Sequence, residues 1–97
     1  MSAYLIADLN IHDPHLAAEY RRQVTPLVAK HGGKYIVRGG DVKVLEGGWA
    51  PGRLVIIEFP SVEAAQAFYD DPAYRPVMEI RQQSSTGGLV IVEGMLD

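Results

Sequence analysis

KYIVRGGDVKVLEGGWAPGRLVIIEF, residues 34 to 59, decides how this chain folds. Lys34 to Arg38 is short and apolar in its middle, so it reads as a strand, and Gly39-Gly40-Asp41 closes it as a turn or bulge. Val42 to Leu45 reads as a continuation or a short hairpin arm. Gly47-Gly48-Trp49-Ala50-Pro51-Gly52 has the composition of a loop. Arg53 to Phe59 is aliphatic, β-branched and aromatic, the pattern of a central strand. Two strands joined by a long glycine-rich connection thus bring an arginine, a tryptophan and a glutamate to where they can share one surface.

Working outward, Ala3 to Ile11 is an aliphatic strand with Ala3, Leu5, Ala7, Leu9 and Ile11 on its core face and Tyr4, Ile6, Asp8 and Asn10 on the other. Asp13-Pro14 starts a helix, with Asp as cap and Pro where a missing N–H costs nothing. Leu16, Tyr20, Val24, Leu27, Val28 and His31 give it one amphipathic face, Pro26 is expected to kink it, and Gly32-Gly33 ends it. The adjacent Arg21 and Arg22 read as a solvated edge, and His31 as a partner of the helix dipole.

Downstream of the central strand, Ser61 caps a helix that buries Val62, Ala65, Phe68 and Tyr69. Asp71-Pro72 repeats the cap-and-proline start, predicting a second piece over 72 to 83 with Tyr74, Val77, Met78 and Arg81 in register. Gly87-Gly88 breaks it, and Leu89 to Glu93 is the last strand.

The order β-α-β-β-α-β predicts an α+β fold, the ferredoxin-like antiparallel sheet with helices on one face. Residues with the parity of Leu54, Ile56 and Glu58, or of Leu89, Ile91 and Glu93, stay apolar until the strand ends. Both sheet faces therefore want cover, and 97 residues supply helices for one. A second copy packed sheet to sheet is the expected solution, a homodimer. The length suits one domain over residues 1–97.

Composition narrows the function classes. With 47% hydrophobic and 22% charged residues the chain is too apolar for disorder. It has no cysteine, which excludes disulfides, thiolate metal sites and cysteine nucleophiles. The aliphatic runs are too short to cross a bilayer, and Asp8 follows an N-terminus without basic residues, unlike a signal peptide; a cytoplasmic protein is expected. A net charge of −3 with dispersed basic residues argues against nucleic acid. RNA-recognition domains share this element order, but RLVIIEF lacks the aromatics on which they stack bases.

Tyr20 followed by Pro26, then GGKYIVRGG, Arg53, IEFPS, FYDDPAY with Arg81 behind it, and a closing VEG resemble the family catalogued as domain of unknown function 1330. The likeness covers nearly the whole chain. It implies a ferredoxin-like protomer that forms a dimeric α/β barrel, and it implies no activity. The wider superfamily of such barrels includes cofactor-free monooxygenases, haem-degrading enzymes and small lactone isomerases. The haem-degrading pattern pairs an asparagine on the first strand with a histidine on the last helix. Asn10 matches the first, but residues 72 to 83 contain no histidine.

Asp8, Arg38 and Glu58 are the first candidates for chemistry. On one face away from the helices they form a charged cluster, with Glu58 as general base and Arg38 holding an anionic or carbonyl oxygen; the same three equally make a structural ion pair that fixes strand register or the dimer. Arg81, on the apolar stripe of Tyr74, Val77 and Met78, points a substrate pocket toward the last helix, or snorkels. Trp49 reads as a ligand lid, an interface anchor or a plug on its own sheet. Tyr69 and Tyr74 supply hydroxyls near apolar faces. His12, His15 and Asp8 make weak metal spacing, and neither metal nor cofactor is expected. The function expected is a homodimer binding a small organic or anionic molecule in a pocket by the sheet, as a cofactor-free enzyme or as a binder. A structural or regulatory interaction module is the alternative.

Overall fold

Burial with a period of two defines the first strand, β1 (Ala3–Ile11), in the computed structural model, which describes residues 2–95. Ala3, Leu5, Ala7 and Leu9 are buried, and Tyr4, Ile6 and Asp8 between them are half-buried. Helix α1 (Pro14–Lys30) starts as its cap dictates: the Asp13 carboxylate accepts the Leu16 N–H at 3.1 Å. Pro26 does not interrupt it. Ala17, Val24 and Val28 are its buried residues.

Strands β2 (Lys34–Arg38) and β3 (Arg53–Phe59), helices α2 (Val62–Asp70) and α3 (Tyr74–Ser84), and strand β4 (Ser85–Glu93) complete the chain. The sheet is antiparallel with the order β2-β3-β1-β4, the ferredoxin-like arrangement, with the second helical segment split in two. Leu5, Ala7, Leu9, Ile57 and Phe59 pack against Val24, Val28, Phe68, Tyr74 and Val77, so the core lies between one sheet face and the helices. Phe68 is its centre, with ring centroids 4.8 Å from Tyr74 and 5.6 Å from Phe59.

Local expectations fail in instructive ways. Val42 to Leu45 forms no strand, and Val42, Val44 and Leu45 stand exposed in a connection running from Gly39 to Gly52. Asp71 does not cap α3 directly: its side chain accepts the Ala73 N–H at 2.9 Å, its carbonyl accepts the Tyr74 N–H at 2.8 Å, and the helix begins after that turn. Gly87-Gly88 does not end the helix. Both lie inside β4, and Gly87 (φ +142°) sits where a Cβ would collide with the Asp8 carbonyl across the ladder.

Two parities also differ from the sequence reading. In β4, Leu89 and Ile91 oppose Ala7 and Leu5 and lie on the covered face, while Val90 and Val92 oppose Ile6 and Tyr4 on the open one. LVIV is apolar at every position, so alternation had nothing to read there. In β2, Lys34 opposes Glu58 and Tyr35 opposes Ile57, but Val37 opposes Ile56 and Arg38 opposes Val55. Ile36 is the extra residue of a bulge, and an extra residue turns everything after it to the other face.

Candidate functional site

Residues directly opposite in a ladder share a face. Arg38 opposes Val55, on the parity of the buried Ile57 and Phe59, and so lies on the covered face. Glu58 opposes Tyr4 and Lys34, and Asp8 opposes Leu54, on the open face. The expected cluster of Asp8, Arg38 and Glu58 is therefore not formed, and the bulge at Ile36 is the reason. Asp8 and Glu58 are also apart along the sheet, since Tyr4, four residues before Asp8, is the partner of Glu58.

Both open-face carboxylates have local partners. Glu58 accepts the Tyr4 hydroxyl at 3.3 Å, which raises the Tyr4 phenol above its ordinary pKa. Asp8 accepts the Trp49 indole N–H and the Gly52 backbone N–H, each at 2.9 Å. Asp8 thus ties the long connection to the open face, with the Trp49 ring left 64% exposed on it.

The covered face holds a cavity of about 50 Å³ between the sheet and the helices. Aliphatic side chains of β1, β3 and β4 make its floor, and Tyr20, Arg21, Tyr35, Arg38, Arg53 and Arg81 border it. None of its lining residues is acidic. Arg38 stacks 4.5 Å above the centre of the Tyr35 ring and donates to the Thr25 hydroxyl at 3.3 Å. Burial lowers the pKa of Arg53, and the neighbouring Arg21 and Arg38 charges push the same way. The positive φ of Gly39 (+73°) favours glycine there, and a Cβ would displace the Arg53 guanidinium that lies against it.

At the inner side, Arg81 donates to the Tyr74 hydroxyl at 2.9 Å, and the Tyr74 and Tyr20 hydroxyls are 3.0 Å apart. Burial pushes both phenols up, Tyr20 furthest, so both stay protonated at neutral pH. Tyr69 lies against Tyr74, centroids 5.8 Å apart, and borders a second hollow with Arg81, Gln66 and the β4 edge. Of the sequence-predicted site residues, the structure thus brings Arg38, Arg81, Tyr74 and Tyr69 to the covered face. It leaves Asp8, Trp49 and Glu58 on the other.

The sequence reading gives Arg21 a solvated edge and Arg53 a strand position, and neither a role in the site. Arg22 alone takes the solvated edge, paired with Glu19, whereas Arg21 borders the cavity. The signal was present: Arg21 follows Ala17 by four and precedes Val24 by three, on the buried stripe. Arg53 has the parity of Val55 and Ile57. His31, expected only at the helix dipole, is paired with Asp71 at 2.8 Å, where Lys30 also donates at 3.0 Å; His31 first, then the Ala73 N–H and Lys30, hold the Asp71 carboxyl well below the usual carboxylate range. Among the described residues no three His, Asp, Glu or Cys side chains converge as a metal site requires, and no helix is long and apolar enough to cross a membrane.

A family model described as a domain of unknown function (DUF1330) matches residues 2–95. No curated protein matches the chain in sequence. Solved structures do match in fold. A protein of unknown function from Rhodopseudomonas palustris superposes with a TM-score of 0.76 at 22% identity, over 99% of this chain and 84% of that one. SnoaB, a cofactor-independent oxygenase from Streptomyces nogalater, gives 0.69 at 12% identity over 99% and 95%. A dimeric protein of unknown function with a ferredoxin-like fold from Bacteroides fragilis gives 0.60 at 12% over 96% and 95%.

Proposed function

We propose, for a chain that belongs to the domain of unknown function 1330 family, that it is a small cytoplasmic homodimer that takes a small organic anion into the cavity between sheet and helices. One observation carries this reading: four arginines, Arg21, Arg38, Arg53 and Arg81, border an otherwise largely apolar cavity whose lining has no carboxylate. Partly burying like charges together is unfavourable, and the depressed Arg53 pKa registers it. A ligand carboxylate relieves that cost through charge-assisted, bidentate hydrogen bonds. The aliphatic floor suits a short carbon body.

In this reading Arg38 serves as an anion ligand with Arg53 and Arg21, not as the partner of Glu58. The homodimer rests on the open face, where Val90 and Val92 are 58% and 47% exposed and Trp49 is held by Asp8. Sedimentation at micromolar concentration tests it, with twice the chain mass expected.

Calorimetric titration with pentanoate and with pentylamine tests the anion site. Pentanoate binds and pentylamine does not, and Arg53→Met, which keeps the apolar stem, weakens pentanoate by at least roughly tenfold. Equal affinity in the variant, or equal affinity for the amine, returns the chain to the interaction-module reading.

A further inference from the structure

The chain Arg81, Tyr74, Tyr20 has a direction. Tyr74 is fully buried, and its oxygen already receives the Arg81 N–H at 2.9 Å. It still has one proton to give, and a buried phenol proton needs an acceptor. The acceptor within reach among the described residues is the Tyr20 oxygen at 3.0 Å. Tyr74 therefore donates to Tyr20, and the Tyr20 proton is left for the cavity that Tyr20 borders. A cation at the head of the series polarises each O–H after it, which strengthens the last donor.

We propose that Tyr20 is the donor to an uncharged oxygen of the bound molecule, so that the ligands are oxo-carboxylic acids, with a carboxylate for the arginines and a ketone oxygen for the phenol. The proposal rests on the anion reading above and names its ligand class. A site built around a buried donor discriminates against the analogue that lacks the acceptor, because the donor is then left unpaired. The two polar groups of the molecule thus have separate partners: Arg21, Arg38 and Arg53 for the carboxylate, and Tyr20 for the ketone oxygen.

Titration of the full chain with pentanoate, 2-oxopentanoate and 4-oxopentanoate tests this. At least one oxo acid binds roughly tenfold tighter than pentanoate, and Tyr20→Phe abolishes that preference. Tyr74→Phe, which keeps the Tyr20 proton but removes its polariser, reduces the preference in part, and it carries the test should Tyr20→Phe fail to fold. Oxo acids that bind no tighter than pentanoate, or a preference that survives both substitutions, overturn the proposal and leave the anion site standing. Binding by none of the three overturns both.

Discussion

The two faces of this one sheet satisfy their charges differently, although neither holds one sign alone: Glu93 at the end of β4 has the covered-face parity of Ala3, and Lys34 lies on the open face. The covered face carries Arg38 and Arg53 beside Arg21 and Arg81 from the helices; the open face carries Asp8 and Glu58, with Lys34 opposite Glu58. On the open side each carboxylate already has a hydrogen-bond donor from its own chain, Tyr4 for Glu58 and Trp49 with Gly52 for Asp8. On the covered side, among the described residues, Arg38 and Arg81 have the neutral Thr25, Tyr35 and Tyr74 as partners. Charge that is satisfied locally needs no ligand, whereas charge gathered in a cavity without a countercharge is what the proposed anion site rests on.

The largest effect expected from this contrast is on stability. Phe68→Ala, under the helices, costs about 3–5 kcal/mol in denaturant unfolding, since Phe68 is 1% exposed. Val92→Ala on the open face costs under about 1 kcal/mol when chains are separate. A cost for Val92→Ala that approaches that of Phe68 would mean the open face is covered in solution, and its dependence on protein concentration would show by what.

Next is the bulge itself. Deleting Ile36 restores plain alternation and turns Arg38 to the open face. Pentanoate affinity is expected to drop by roughly tenfold, the worth of one charge-assisted contact, with the fold retained by circular dichroism. Unchanged affinity would show that Arg38 contributes nothing to the anion site.

A smaller effect belongs to Asp8→Asn. It weakens two exposed hydrogen bonds to the long connection, so protease cleavage between Gly39 and Gly52 speeds up by a few-fold, with little change in global unfolding. The narrowest effect is one of pH. The Asp71 carboxyl is held below its ordinary range in the folded chain, so its contribution is complete above about pH 4, the unfolded carboxylate value, and is lost as pH falls further. Melting of the wild type should fall more steeply below pH 4 than that of Asp71→Asn, whose melting profile is flatter there.

Much of this was legible in the residues. The element order, the core parity of Ala3 to Leu9, the caps at Asp13 and Ser61 and the apolar second face all follow from alternation and local chemistry. The site was less legible, for one geometric reason. Strand parity propagates from a starting register, and a bulge within KYIVR resets it without any glycine or proline to mark the place. Plain alternation therefore puts Arg38 on the open face with Asp8 and Glu58, whereas the structure puts it on the covered face with Arg21 and Arg53. Adjacency to Arg22 suggests a solvated edge for Arg21, whereas its helical spacing from Ala17 and Val24 brings it to the cavity. His31 and Asp71 are 40 residues apart, a pairing that only the packing of α1 on the α2–α3 turn creates.

The chain has one tryptophan, and Asp8 pins it to the open face, away from the cavity. Tyr20, Tyr35 and Tyr74 stand on the other side. Optical spectroscopy consequently has one probe confined to a single surface. Indole emission, excited beyond the tyrosine band, reports whatever lands on the bare sheet, whereas phenol absorbance mixes Tyr4 on that face with the phenols under the helices. A second copy docking on the sheet is expected to change the indole signal without any label.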